Sequence, residues 1–100
     1  MCSQNKRRSL TAKNIFDGYN GHDARSAGTE SNAWIKVTGG LLGWAEIIFC
    51  MEKKHSRRIE EKYSVIIADK KVVGLYINDD YYFMDRKLVE LFMSYVCEYI

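Results

Sequence analysis

Cys2 and Arg8 lie six positions apart, and Ser9 follows the arginine directly. A thiolate is a nucleophile, a guanidinium is a planar clamp for two oxyanion oxygens, and a neighbouring hydroxyl can donate to the sulfur anion. A lysine in the arginine's place could not grip two oxygens at once. At the mouth of a loop running into a helix, these residue types suit attack on a phosphate ester. The backbone N–H groups of Ser3, Gln4, Asn5, Lys6 and Arg7 can turn inward around the phosphoryl oxygens, and the start of a helix favours the negative charge. Asn5 can brace the loop by hydrogen-bonding its backbone. In a plainer reading, Cys2 is an exposed terminal thiol and residues 6–8 are a solvated basic turn.

Ester cleavage also needs an acid for the leaving oxygen. Asp79 and Asp80 follow the last apolar run, at what would be the carboxyl end of a sheet, where open α/β folds place their ligands. Either could protonate the leaving group, with Tyr81 and Tyr82 as cleft walls. The plainer alternative is a pair of solvated aspartates with the tyrosines packed on the core.

The elements that must position these residues alternate in type. Leu10, Ala12, Ile15 and Phe16 predict a short helix starting near Arg8 and ending before the Gly18 and Gly21 turn. Residues 24–27 read as a short strand, and 30–37 as a loop with a turn. Thr38 is a predicted N-cap for a helix covering Leu41, Leu42, Trp44 and Ala45. The unbroken apolar run 47–51 predicts a strand buried on both faces. Residues 52–63 read as an exposed charged helix, 65–68 as a further short strand or loop, and 72–77 as the next buried strand. Asp85 is a predicted cap for a helix whose Leu88, Leu91, Phe92, Tyr95, Val96 and Tyr99 follow helical spacing. The expectation is one α/β domain over residues 1–100: three layers, with a small parallel sheet and flanking helices.

Composition narrows the classes. One hundred residues, 47% of them hydrophobic, can build one core. A net charge of +2 argues for neither nucleic acid nor an anionic membrane. The three cysteines, Cys2, Cys50 and Cys97, are far apart. They form neither a disulfide framework nor a zinc motif, which suits a reducing, cytoplasmic setting. No secretion signal or membrane span is legible. His22 and His55 share no ligand spacing, so no metal is expected. Cys50 and Cys97 read as core packing, Trp34 and Trp44 as structural anchors, and residues 53–58 as the wet face of a helix.

Several stretches, in order along nearly the whole chain, resemble the low-molecular-weight protein tyrosine phosphatase family, in particular its short bacterial branch. Cys2, Asn5, Arg8 and Ser9 match that family's C-x-x-N-x-x-R-S loop. Ser26-Ala27-Gly28-Thr29 resembles its S-A-G-T strand end, and residues 44–52 resemble its W-A-D-x-I-x-x-M-E segment. Asp79-Asp80-Tyr81-Tyr82 resembles its D-P-Y-Y acid loop.

The resemblance implies a phosphotyrosine phosphatase I-like fold and a protein tyrosine phosphatase-like hydrolase working through a phosphocysteine. Cys2 would be the nucleophile, Arg8 the clamp, Ser9 the thiolate stabiliser and Asn5 the brace. Asp79 would be the general acid, with Asp80 in reserve. No cofactor would be needed. Partners would be a phosphorylated protein or a small phosphate monoester, with inorganic phosphate or sulfate in the loop and self-association left open. Three prolines of the family are replaced by Leu10, Asp80 and Arg86. Only Met1 precedes Cys2, so the strand that leads into the family's cysteine is not expected within residues 1–100. The segments 24–27 and 47–51 are therefore expected to lack a shared neighbour. The competing class is a catalytically impaired phosphate-binding or protein-interaction module on the same scaffold, with residues 53–58 as its contact.

Overall fold

The computed structural model describes residues 1–78 and 80–100. Four α-helices, α1 (Arg8–Phe16), α2 (Gly39–Trp44), α3 (Lys53–Ile67) and α4 (Arg86–Val96), flank two strands, β1 (Ile47–Cys50) and β2 (Lys71–Gly74). A 3₁₀ turn, Tyr19–Gly21, follows α1. The strands pair in parallel, Ile47 opposite Lys71 through Cys50 opposite Gly74. This is a small α/β fold with helices on both faces of a parallel pair.

The apolar run of β1 explains that arrangement. Successive side chains point to opposite faces. Ile47, Phe49 and the following Met51 join a core with Phe16, Leu88, Phe92 and Val96 of α1 and α4. Ile48 and Cys50 join a second core with Leu42, Ile59 and Ile67 of α2 and α3. A strand covered on both sides needs no polar alternation. Phe92 and Leu88 are wholly buried, and removing a side chain such as Phe92 costs about 3–5 kcal/mol.

The helix caps follow the sequence. Thr38 Oγ1 accepts from the Leu41 N–H at the start of α2, and Asp85 Oδ1 accepts from the Lys87 N–H at the start of α4. In α3, the Glu52 N–H donates to His55 Nδ1, a bond that closes the first turn.

Four expectations are corrected. Residues 65–68 are not a strand: α3 continues to Ile67 past a kink at Tyr63, because Ile67 falls on the same buried face as Ile59. β2 is shorter than 72–77, since Tyr76 takes φ +55° and breaks the pleat. The Leu75 and Ile77 N–H groups nevertheless still reach the Cys50 and Met51 carbonyls. Residues 24–27 form no strand; pairing there is reduced to single parallel bridges, Cys2 with Gly28 and Gly28 with Lys36. Trp34 and Trp44 are not buried anchors. They are 65% and 41% exposed, and their rings lie beneath Lys6 and Arg25.

The gap expected between segments 24–27 and 47–51 is bridged at one end. The Met1 amine donates to the Phe49 carbonyl, and the Met51 N–H donates to the Met1 carbonyl. On the other side, the Cys2 N–H donates to Ala27 and the Thr29 N–H donates to Cys2. Met1 and Cys2 thus serve as a two-residue strand between the flanking segments. Behind them runs a groove of about 390 Å³ between Ala24 and Ala27 on one wall and Ile47 and Phe49 on the other, with Phe16 and Leu42 in its lining.

Candidate active site: the loop from Cys2 to Ser9

The loop closes on its own sulfur. Cys2 is buried, and its Sγ accepts the Asn5 N–H at 3.2 Å. That bond needs Asn5 in the left-handed region, φ +56°, a conformation asparagine tolerates better than most side chains. The Asn5 side chain then holds the far end of the loop, its Oδ1 accepting from Ser9 Oγ at 3.0 Å. Its buried Nδ2 has no hydrogen-bond partner among the described residues.

Ser9 Oγ also lies 2.9 Å from Cys2 Sγ. One hydroxyl proton cannot serve the sulfur and Asn5 Oδ1 together. With a neutral thiol, the S–H can donate to Ser9 while Ser9 donates to Asn5. With a thiolate, the serine proton turns to the sulfur. The geometry therefore supplies two donors, a backbone N–H and a hydroxyl, to a negatively charged sulfur, as charge-assisted bonds require.

Arg8 opens α1 and is 2% exposed. Its Nη1 donates to Glu52 Oε2 at 2.7 Å and to the Ile77 carbonyl at 2.8 Å. These two bonds fix the plane of the guanidinium fork. The Arg8 contact also holds the Glu52 carboxyl below the usual carboxylate range.

The first turn of α3 grips the loop at its other end. His55 is fully buried and its Nε2 lies 3.0 Å from Ser3 Oγ. Because Nδ1 accepts the Glu52 N–H, the proton sits on Nε2 and donates to Ser3. Burial, then the nearby Met1 amine and Arg8, lower the His55 pKa to about 4. The ring is therefore neutral near pH 7, as this bonding requires. Glu52 and His55 thus act as one brace, reaching Arg8 and Ser3 respectively.

A third support is Gly28. A Cβ there would stand 2.6 Å from the Ser3 carbonyl oxygen and 2.9 Å from the Gln4 carbonyl carbon. Only glycine lets this segment lie so close to the loop backbone. The Glu30 N–H then donates to Ser3 and the Trp34 N–H to Gln4.

Of the residues expected at the site, Cys2, Asn5 and Ser9 converge. Arg8, nearby in sequence, is held by Glu52 and the Ile77 carbonyl, and Ser3 and Gln4 form the wall facing α3 and residues 28–34. Lys6 and Arg7 point to the rim, Lys6 above the Trp34 ring at 5.7 Å and Arg7 above Tyr82 at 5.9 Å. Asp79 lies outside the described residues. Asp80 is exposed, its N–H bonded to Asn78 Oδ1. Tyr81 packs on the core, whereas Tyr82 is 76% exposed.

Comparison with known protein families, characterised proteins and solved structures finds no match to this chain.

Glu52, His55 and Gly28 are the supports that sequence reading misses. The signal for Glu52 and His55 was their cap-to-third-residue spacing at the start of a charged helix. Among the described residues, no cluster of three or more ligand-type side chains could hold a metal ion. No helix among them is long and apolar enough to cross a membrane.

Proposed function

We propose that this protein is a cysteine-dependent phosphatase of the low-molecular-weight type, with the corresponding phosphotyrosine phosphatase I-like fold, acting on phosphotyrosine or aryl phosphate monoesters. The observation that carries the reading is the closure of the loop on Cys2 Sγ, with donors from Asn5 and Ser9, together with the burial of Arg8 where the loop enters α1.

In the first step, the Cys2 thiolate attacks phosphorus in line with the leaving oxygen. The S–P bond forms as the P–O bond breaks, and Asp79 gives its proton to the departing aryl oxide, with Asp80 as the reserve acid. Loop N–H groups and Arg8 take up the charge on the equatorial oxygens. In the second step, water attacks the phosphocysteine. The aspartate recovers a proton from that water, the S–P bond breaks, and inorganic phosphate leaves with the thiolate restored. Ser9 meets each thiolate stage by turning its proton to the sulfur.

Hydrolysis of an aryl phosphate by the folded protein, inhibited by vanadate and lost in Cys2→Ser, is the expected result. Absence of turnover in a folded sample contradicts the proposal. The exposure of Asp80 favours one second reading, a module that holds phosphate without cleaving it. In that case phosphate raises Tm although no substrate turns over.

A further inference from the structure

A second concave site lies beside the loop, on the outer side of residues 28–37. It is a hollow of about 230 Å³ lined by the cationic side chains of Lys36, Arg58 and Lys62. Thr29, Ser31 and Tyr63 also line it, and Val37 and Ile59, both buried, contribute apolar surface. The position of its walls is fixed by hydrogen bonds to backbone carbonyls. The Val37 N–H donates to the Gly28 carbonyl, and Arg58 Nη1 donates to the Thr29 carbonyl at 3.4 Å.

The charge balance of this hollow is one-sided. Arg58 and Lys62 are four apart on α3, a spacing at which like charges repel. Lys36 adds a third positive charge from the opposite wall. Among the described residues, no carboxylate pairs with any of the three; the ion pairs formed elsewhere are Arg8 and Lys54 with Glu52, and Arg86 with Glu90. Three cations and three hydroxyl-bearing side chains around one hollow have the donors that a phosphate dianion accepts.

We infer that the hollow bounded by Lys36, Arg58 and Lys62 is a second oxyanion site, taking a phosphate dianion or the phosphoryl group of a monoester. The site stands apart from Cys2, so it does not depend on turnover. Thr29 links the two, since its N–H donates to the Cys2 carbonyl. A ligand carrying two phosphoryl groups could therefore engage the loop and the hollow on neighbouring faces.

The test is an amide-resolved NMR titration of the isotopically labelled protein with inorganic phosphate, at an ionic strength held constant with chloride. The expected result is a saturable shift of the Thr29, Ser31, Val37 and Lys62 amides, with its own Kd. In a Lys36→Met/Lys62→Met variant the hollow's response falls at least tenfold, while the response of the Ser3 to Arg8 amides is retained. Three outcomes overturn the inference: hollow amides that move no more than those beside the exposed Arg86 and Lys87, a response reproduced by chloride alone, or a response that survives the double substitution. Loop amides that stay silent while the hollow responds count against the phosphatase reading and leave the second site standing. A second arm uses a doubly phosphorylated peptide against its singly phosphorylated form. Tighter binding of the former, lost in the variant, assigns the hollow to a second group on a loop-bound ligand. Equal binding, with the hollow still responding to inorganic phosphate, assigns it to free phosphate.

Discussion

Two segments needed for the proposed chemistry are held very differently. In the loop, Cys2, Asn5, Arg8 and Ser9 are all buried; Cys2, Asn5 and Ser9 are linked through Sγ, Oγ and Oδ1 contacts of 2.9–3.2 Å, and Arg8 is held by Glu52 and the Ile77 carbonyl. The segment around residues 80–84 meets solvent. Asp80 is exposed, and Tyr82, Phe83 and Met84 are 76%, 45% and 41% exposed. Among the described residues it is attached by Tyr81, which packs on the core, by the Asp80 N–H on Asn78 Oδ1, by the Asp85 N–H on the Tyr82 carbonyl, by the Met84 N–H on Thr11 Oγ1, and by Tyr82 under Arg7. A nucleophile and an oxyanion clamp lose efficiency with small displacements, so they are worth the cost of fixing in advance. A cleft wall that meets substrates of varied shape has no such requirement, and Tyr82 and Phe83 stand open to solvent.

The largest effect expected from breaking this comparison is at the acid. Asp79→Asn should lower kcat for a phenyl-type leaving group by about 10²–10⁴-fold. The loss should be far smaller for a nitrophenyl leaving group, which departs without a proton. Asp80→Asn should change either rate little. Steady-state kinetics on the two esters separates the roles, and equal losses for both variants would show that the acid is shared.

Gly28→Ala attacks the fixed segment without touching a reacting group. The added methyl meets the Ser3 and Gln4 backbone, so the loop must shift. A loss of roughly 1–3 kcal/mol in stability is expected, with a fall in kcat beyond what the unfolded fraction explains. Denaturant titration alongside kinetics checks both. Unchanged kcat would mean that the loop does not need this close approach.

The smallest effect is a pH dependence centred on His55. Its folded pKa of about 4 lies below the ordinary value of 6.5. Between those values the unfolded chain binds a proton that the native ring refuses. Its stabilisation is therefore complete above about pH 6.5 and is lost as pH falls toward 4. The arithmetic gives a loss of about 2 kcal/mol between pH 7 and pH 5. Denaturant midpoints at the two pH values should show it, and His55→Gln should flatten the difference. Glu52, also held below its usual range, adds a further loss at more acid pH.

Local signals made much of the fold legible. The unbroken apolar run became β1, and Thr38 and Asp85 capped the predicted helices. Those features are set within a few residues of chain. What escaped the sequence depends on partners distant along it. Residues 24–27 read as a short strand, but the neighbours they need supply only isolated bridges. The extension of α3 to Ile67 is decided by the buried face it shares with Ile59, against the β-branched character of Val65, Ile66 and Ile67. At the site, the loop residues were visible from type and spacing. The Glu52–His55 brace was not, because it joins positions 44 and 52 residues apart in the chain. Gly28 stood within a legible motif, yet its reason, contact with the Ser3 and Gln4 backbone, exists only once the chain is folded.

The most direct test of the central claim is to trap the covalent intermediate. The protein is mixed with an aryl phosphate, quenched in acid within milliseconds, digested and weighed by mass spectrometry. The account predicts a phosphate-sized mass increase on the peptide containing Cys2, absent in Cys2→Ser and accumulating when the second step is slowed by Asp79→Asn with a nitrophenyl ester. Turnover of that ester with Cys2 never phosphorylated, or turnover that survives Cys2→Ser, would contradict it.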